Sequence, residues 1–347
     1  MKVLCFSSFT FAYLNRARVL YSTVRRFHPD WELVALMTDQ PPPGLVFDLA
    51  NEPFDRVVYA EELGIPDFQA WLFKHDVVEI STAVKGPFLH QAIASGAADA
   101  VIYLDPDTAL FSDLTPLIQR LERDDILLTP HLVDANSDRQ AILDNDLSAS
   151  KTGIFNLGFV AVKAGGEGAR FGAWWNERLL EFCYDDIPAG LFVDQKWCDH
   201  VPALFDRVGV VRDPGYNVAS WNISQRKVAI GRDGAITVNG APLRFWHFTK
   251  LGPTGDAMTK RYAGDNHAVY EIWRWYKEQV VAATDPVIPE GWWAYGVYAD
   301  GTPIARAHRL IWRDRPDLRE RFPDPFSVEG GGYLGWLMGE GRSDHDS

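Results

Sequence analysis

The stretch Val101-Ile102-Tyr103-Leu104-Asp105-Pro106-Asp107-Thr108-Ala109-Leu110-Phe111 decides how the rest of the chain is read. Four apolar residues run unbroken into two aspartates, and apolar residues resume after Thr108. A short, β-prone, uninterrupted run marks a strand buried on both faces. The aspartates then stand at its carboxyl end, the edge of an open α/β sheet where ligands bind. Pro106 fixes its own φ, removes a backbone donor and biases Asp105 toward an extended shape. Two carboxylates one residue apart on a stiff turn can share a hard divalent cation and leave its other positions for phosphate oxygens. The plainer reading makes Asp107 a cap for a following helix and Asp105 a turn residue. Asp-x-Asp alone does not separate the two.

The chain around this stretch has 347 residues, 47% hydrophobic and 13% aromatic, which describes a folded protein with one large domain and a smaller appendage. Its formal net charge of -13 argues against nucleic acid as a partner. Cys5, Cys183 and Cys198 form no disulfide framework and no Cys-x-x-Cys, so they read as buried, reduced thiols of a cytoplasmic protein. No signal-peptide layout and no apolar run long enough for a transmembrane segment is present; peripheral association at the inner face of a membrane stays open.

Upstream, Val3 to Phe6 predicts a strand, Ser7 to Thr10 a polar loop, and Leu14, Ala17, Leu20, Val24 and Phe27 a helix at 3.6 spacing. Leu33 to Met37 is a second strand with Thr38-Asp39 at its end. This β-α-β start carries neither Gly-x-Gly-x-x-Gly nor a P-loop, which argues against dinucleotide oxidoreductases and P-loop NTPases. A helical stretch over 68–95 contains Lys85 just before Gly86-Pro87, where a break or kink is expected. Such a lysine either points at a phosphate or is simply solvated.

Downstream, Ile154 to Val162 is a β-type run interrupted by Asn156, whose buried amide needs a partner or a ligand. Asp194-Gln195 opens the next helix, with Asp194 as a plausible N-cap. Leu243 to Phe248 is a strand carrying His247, which reads either as a satisfied core histidine or as a ligand. Beyond Gly255 aromatics accumulate. Trp292, Trp293, Phe326 and Trp336 are expected to bury against the main domain, and Gly341 to Ser347 to be unstructured.

Taken together, a nucleotide-type β-α-β start, Tyr-Leu-Asp-Pro-Asp, Phe-Asn-Leu-Gly-Phe, Asp-Gln and a strand ending His-Phe-Thr-Lys resemble the GT-A fold glycosyltransferases. The closest likeness is to the retaining group around glycosyltransferase family 8. Glu79 to Phe88 and Phe322 to Trp336 are also similar to segments of bacterial polysaccharide-cluster glycosyltransferases. The resemblance covers about residues 1–255 and implies an α/β catalytic domain there, a Rossmann-like mixed sheet flanked by helices. Residues 256–347 would be an aromatic-rich C-terminal extension packed on it. It further implies that Asp105, Asp107 and His247 hold Mn²⁺ (or Mg²⁺) on a sugar-nucleotide diphosphate. Asn156, Asp194 and Gln195 would lie at the transferred sugar, and Ser7, Ser8 and Thr10 at the base and ribose. Lys85, Asp39 and Lys250 join Asp105 as donor-binding candidates. The family's usual Gly then Lys-Pro-Trp after the histidine is here Thr249-Lys250-Leu251-Gly252-Pro253.

The implied activity is transfer of a sugar from a nucleoside-diphosphate sugar, UDP-sugar favoured, to a glycan, lipid-linked or protein acceptor with retention. A divalent ion suits that chemistry, because charge develops on the departing diphosphate. Oxygen ligands select Mg²⁺ or Mn²⁺, and an imidazole tilts the choice toward Mn²⁺. Two rival classes are a sugar-nucleotide-forming nucleotidyltransferase, whose Gly-rich loop Ser7 to Thr10 lacks, and a non-catalytic sugar- or protein-binding module on the same fold.

Overall fold

The structure, a computed structural model, describes residues 1–339. Its strands in chain order begin with Val3–Phe9 (β1), Glu32–Met37 (β2), Arg56–Tyr59 (β3), Ala100–Leu104 (β4), Thr108–Leu110 (β5), Ile126–Pro130 (β6) and Phe155–Lys163 (β7). β4 is the middle of a seven-stranded sheet that runs from the strand Val208–Val210 through β6, β7, β4, β1 and β2 to β3. β7 alone is antiparallel to its neighbours. This is the mixed α/β sheet flanked by helices expected from the sequence.

β1 and β4 are buried along their whole length because helices cover both faces. On one side Leu14, Ala17, Leu20, Tyr21 and Val24 of helix α1 (Leu14–Phe27) meet Val3, Cys5 and Phe9. On the other, the helix Gly166–Phe182 brings Phe171 and Trp175 against the sheet. The stretch 68–95 is not one helix but three: α2 (Phe68–Phe73), α3 (Val77–Ala83) and α4 (Lys85–Ala94). Asp76 ends the first gap by accepting from the N–H of Val78 and Glu79, while Glu79 accepts from Asp76 N–H, a reciprocal cap. Pro87 lacks the N–H that would reach Ala83, so the turn breaks at Val84 and Pro87 sits harmlessly in the first turn of α4. A Cβ on Gly86 would stand 2.9 Å from Asn176 Cα, so glycine there lets α4 approach the helix Gly166–Phe182.

All three cysteines are free and buried. No helix among the described residues is long and apolar enough to cross a membrane.

Past the sheet, the helix His267–Ala282 stacks Tyr276 on Phe248 with ring centroids 3.8 Å apart. Trp293, Tyr295 and Phe326 pack onto the core under α3 and α4, and Trp292 onto the core under α1. Trp312, Tyr333 and Trp336 surround Phe73 of α2. The fully buried Trp312 and Tyr333 contribute roughly 1.5–3 kcal/mol each, and the half-buried Trp292, Trp293, Tyr295 and Phe326 less. The unstructured end expected at Gly341 to Ser347 lies outside the described residues.

Candidate metal and donor site

Asp105 follows β4 directly. Its N–H donates to Gly158 O at 2.9 Å and its carbonyl accepts from Thr108 N–H at 3.1 Å, which closes a tight turn over Pro106. No helix follows, so Asp107 caps nothing. Instead β5 pairs antiparallel with the strand Phe245–His247, and the register sets His247 opposite Thr108. That pairing brings His247 Nε2 to 3.0 Å from Asp107 Oδ1 and 3.5 Å from Asp105 Oδ2. One ligand atom of each residue lies within 4.8 Å of the others. This is the sole group of three or more metal-ligating side chains among the described residues. A Cβ on Gly158 would come within 2.6 Å of the His247 ring, so the imidazole rests directly on the glycine backbone of β7.

Behind the triad lies a buried ammonium. Lys85 Nζ, 2% exposed, is 3.3 Å from Asp105 Oδ1 and 2.9 Å from Asp194 Oδ2, and donates to Leu157 O at 3.1 Å. The Asp194 contact is close but off hydrogen-bond alignment, and Asp194 Oδ2 has no aligned donor. Tyr103 OH donates to Asp105 Oδ1 at 2.6 Å, and its ring lies 3.9 Å below Nζ. Burial works against the Lys85 charge, but Asp105 and Asp194 outweigh it and hold the ammonium well above its ordinary range. Burial pushes the Asp194 carboxyl up against the pull of Lys85. Burial also opposes ionisation of Asp107 and His247, yet their mutual attraction lowers the first and raises the second. Even with a charged His247 counted, three ionised carboxylates face two cations and leave an excess of one negative charge, which becomes two when a bound metal displaces the His247 proton. That excess and the oxygen-rich donor set with one imidazole fit a divalent cation.

Asp105 and Asp107 open on a cleft of about 230 Å³ whose walls include Ser8, Thr10, Tyr13, Val77, Val78, Ser81, Thr82 and Tyr103. Ser8 Oγ donates to Ser81 O at 2.6 Å and lies 3.2 Å from Tyr103 OH. Tyr13 and Val78 are largely exposed and give the cleft an apolar lip.

Several sequence expectations are corrected. Ser7 to Phe9 belongs to β1 and not to a loop, and alternation turns Ser7 to the opposite face from Ser8, where its hydroxyl is buried without a partner. Asp39 does not line the cleft: it is 2% exposed and accepts from the N–H of Phe11, Gln40 and Ala294 at 3.3, 2.9 and 2.7 Å. Burial still pushes its carboxyl up to about 7. Lys85 points at carboxylates rather than into the cleft. Asp194 is no N-cap; it follows a left-handed Val193 (φ 40°) and faces Lys85. Gln195 donates through Nε2 to Thr152 O at 3.0 Å. Lys250 stands in an exposed left-handed turn (φ 55°); its carbonyl accepts from Gly255 N–H at 3.0 Å, and its side chain has no partner among the described residues. Tyr13, Tyr103 and α3's Val77 to Thr82 were not read as site residues. Only the hydroxyl pattern Ser81-Thr82 before Lys85 hints at them.

No family model matches the chain. It is 30% identical to uncharacterized protein YfnF of Bacillus subtilis (strain 168) over 177 residues, 50% of this chain and 57% of that protein. The chain thus spans little more than half the length of that relative. Uncharacterized protein YfnD of the same organism is 28% identical over 226 residues, 63% of this chain and 68% of its own length. Among solved structures, galactosyltransferase LgtC with donor and acceptor sugar analogs aligns at TM-score 0.43 and 17% identity, covering 84% of this chain and 99% of LgtC. Mouse xyloside xylosyltransferase 1 aligns at TM-score 0.40 and 14% identity, covering 73% and 98%.

Proposed function

We propose that this protein is a metal-dependent glycosyltransferase that moves a sugar from a nucleoside-diphosphate sugar to a glycan, lipid-linked or protein acceptor. The observation that carries the reading is the Asp105–Asp107–His247 triad at the carboxyl edge of the sheet, beside a cleft with one apolar lip and one hydroxyl-bearing wall. Asp105, Asp107 and His247 would hold Mn²⁺ or Mg²⁺, which when bound supplies positive charge for the departing diphosphate. The cleft takes the nucleoside: Tyr13 and Val78 offer apolar contact to a base, and Ser8, Ser81 and Thr82 offer hydroxyls nearby. UDP-sugars are the favoured donors.

Retention is the favoured outcome. Inversion needs a free carboxylate base beside the acceptor hydroxyl. Asp194 is buried and paired with Lys85, which suits holding Asp105 and the sugar side of the site in place better than taking a proton. The test is release of nucleoside diphosphate from a panel of sugar nucleotides with Mn²⁺, followed by NMR of the first-formed glycoside. Pyrophosphate release from NTP plus sugar phosphate would replace this reading with a nucleotidyltransferase. A β-linked product from an α-linked donor would overturn retention.

A further inference from the structure

The resemblance sets Asn156 beside the transferred sugar, but its hydrogen bonds lead to His247. Gly158 N–H can only donate, so the Asn156 side-chain atom 3.2 Å from it is the oxygen. His131 fixes the same orientation from the other side. Its Nδ1 faces Ile154 O at 3.4 Å and therefore carries the proton, leaving Nε2 to accept from Asn156 Nδ2 at 3.3 Å. Burial keeps His131 neutral, pushing it down to about 4. Asn217, fully buried, donates through Nδ2 to the same Asn156 oxygen at 3.0 Å and to Thr129 Oγ1 at 3.0 Å. Asn222 in turn holds Asn217 by donating to its carbonyl at 2.9 Å. The third neighbour of Asn156 Oδ1 is His247 Nδ1 at 3.3 Å. With that oxygen fixed as an acceptor, Nδ1 must carry a hydrogen.

We infer that Asn156 is a positioning residue whose oxygen keeps a proton on His247 Nδ1 and so presents Nε2 to the divalent cation shared with Asp105 and Asp107. This rests on the metal reading of the triad. Which ring nitrogen of a histidine meets a metal is set by the hydrogen bond of the other, and such outer partners shape metal affinity. A sugar-contacting role would leave metal binding without donor untouched, so the two roles separate by measurement.

Two readouts test the inference. Ring-nitrogen NMR of ¹⁵N-histidine protein, with Mg²⁺ as a diamagnetic ion and His247→Gln for assignment, is expected to show His247 protonated on Nδ1. Free Mn²⁺ counted by EPR, without donor, is expected to show binding by Asn156→Ala about ten- to a hundredfold weaker than wild type. Asn156→Asp, which keeps an oxygen toward Nδ1, is expected to fall closer to wild type than to the alanine variant. A proton on Nε2 in the Mg²⁺ form, or unchanged Mn²⁺ affinity in Asn156→Ala that folds by circular dichroism, would overturn the inference while leaving the metal reading intact. Wild-type protein that binds no Mn²⁺ would overturn both. If Asn156→Ala does not fold, the wild-type tautomer decides.

Discussion

Two buried charge clusters flank the break between α3 and α4, and they differ in completeness. Glu79, 1% exposed, accepts from Asp76 N–H at 2.8 Å, Asp185 N–H at 2.9 Å and the Arg313 guanidinium at 2.9 Å. Arg313 also donates to Lys74 O at 2.7 Å and lies 3.5 Å over the Tyr184 ring. Its charges balance and its lone pairs are filled. Six residues on, Lys85 faces two carboxylates while Asp107 and His247 crowd the same turn, and Asp194 Oδ2 lacks an aligned donor. Buried charge that is matched and hydrogen-bonded holds a structure together. Buried charge left with an excess of one sign marks where a ligand completes it. The first cluster ties the C-terminal extension to α3, and α3 lines the cleft, so the closed cluster supports a wall of the open one.

The largest expected effect is at the open cluster. Asp107→Ala is expected to abolish Mn²⁺-dependent binding of nucleoside diphosphate by calorimetry. Its melting temperature is expected to fall by only a few degrees, because the substitution removes the Asp107–His247 contact but leaves His247 beside Asp105. A variant that still binds with wild-type affinity in Mn²⁺, or a wild type equally active in EDTA, would remove the distinction between the clusters.

At the closed cluster the signs reverse. Glu79→Ala leaves the Arg313 charge buried beside two backbone N–H groups without an acceptor, and is expected to cost about 3–5 kcal/mol in denaturant unfolding. Glu79→Gln retains an oxygen for one of them and is expected to lose less. Mn²⁺ affinity of whatever folds is expected to be unchanged. An equally stable Glu79→Ala would mean that the extension is not held through this contact.

The open cluster was more legible in the sequence than the closed one, for a physical reason. Asp105 and Asp107 share one turn, and the apolar run before them fixes their place at the sheet edge. His247 is legible only through the resemblance, since its approach depends on a strand pairing across more than a hundred residues. The Lys85–Asp194 contact spans a similar distance, and a local reading of Asp194 naturally makes it a cap. Ser7 was misplaced because β1 runs three residues past the last residue assigned to it, and alternation then decides its face. Asp39 and Glu79 were opaque because their partners include backbone N–H groups of Ala294 and Asp185, which no side-chain pattern reveals.

Asp39 stands between the two clusters in kind. Like Glu79 it accepts from three N–H groups, one of them from the extension, but among the described residues no cation stands opposite it. Burial raises its carboxyl from 3.8 to about 7, with the three N–H groups pulling the other way. A raised folded-state value means that the native protein holds this proton where the unfolded chain has released it. The stabilisation is therefore complete below about pH 4 and is lost as pH rises through about 7. The slope cannot exceed about 1.4 kcal/mol per pH unit for one group, so a net loss of about 2 kcal/mol is the expectation between pH 5 and pH 8. Melting temperatures from pH 5 to pH 8 measure it. Wild type is expected to lose a few degrees more than Asp39→Asn, whose amide does not titrate. Parallel pH profiles would mean that the three N–H groups alone hold Asp39 ionised, and that a buried carboxylate here needs no cation to be complete.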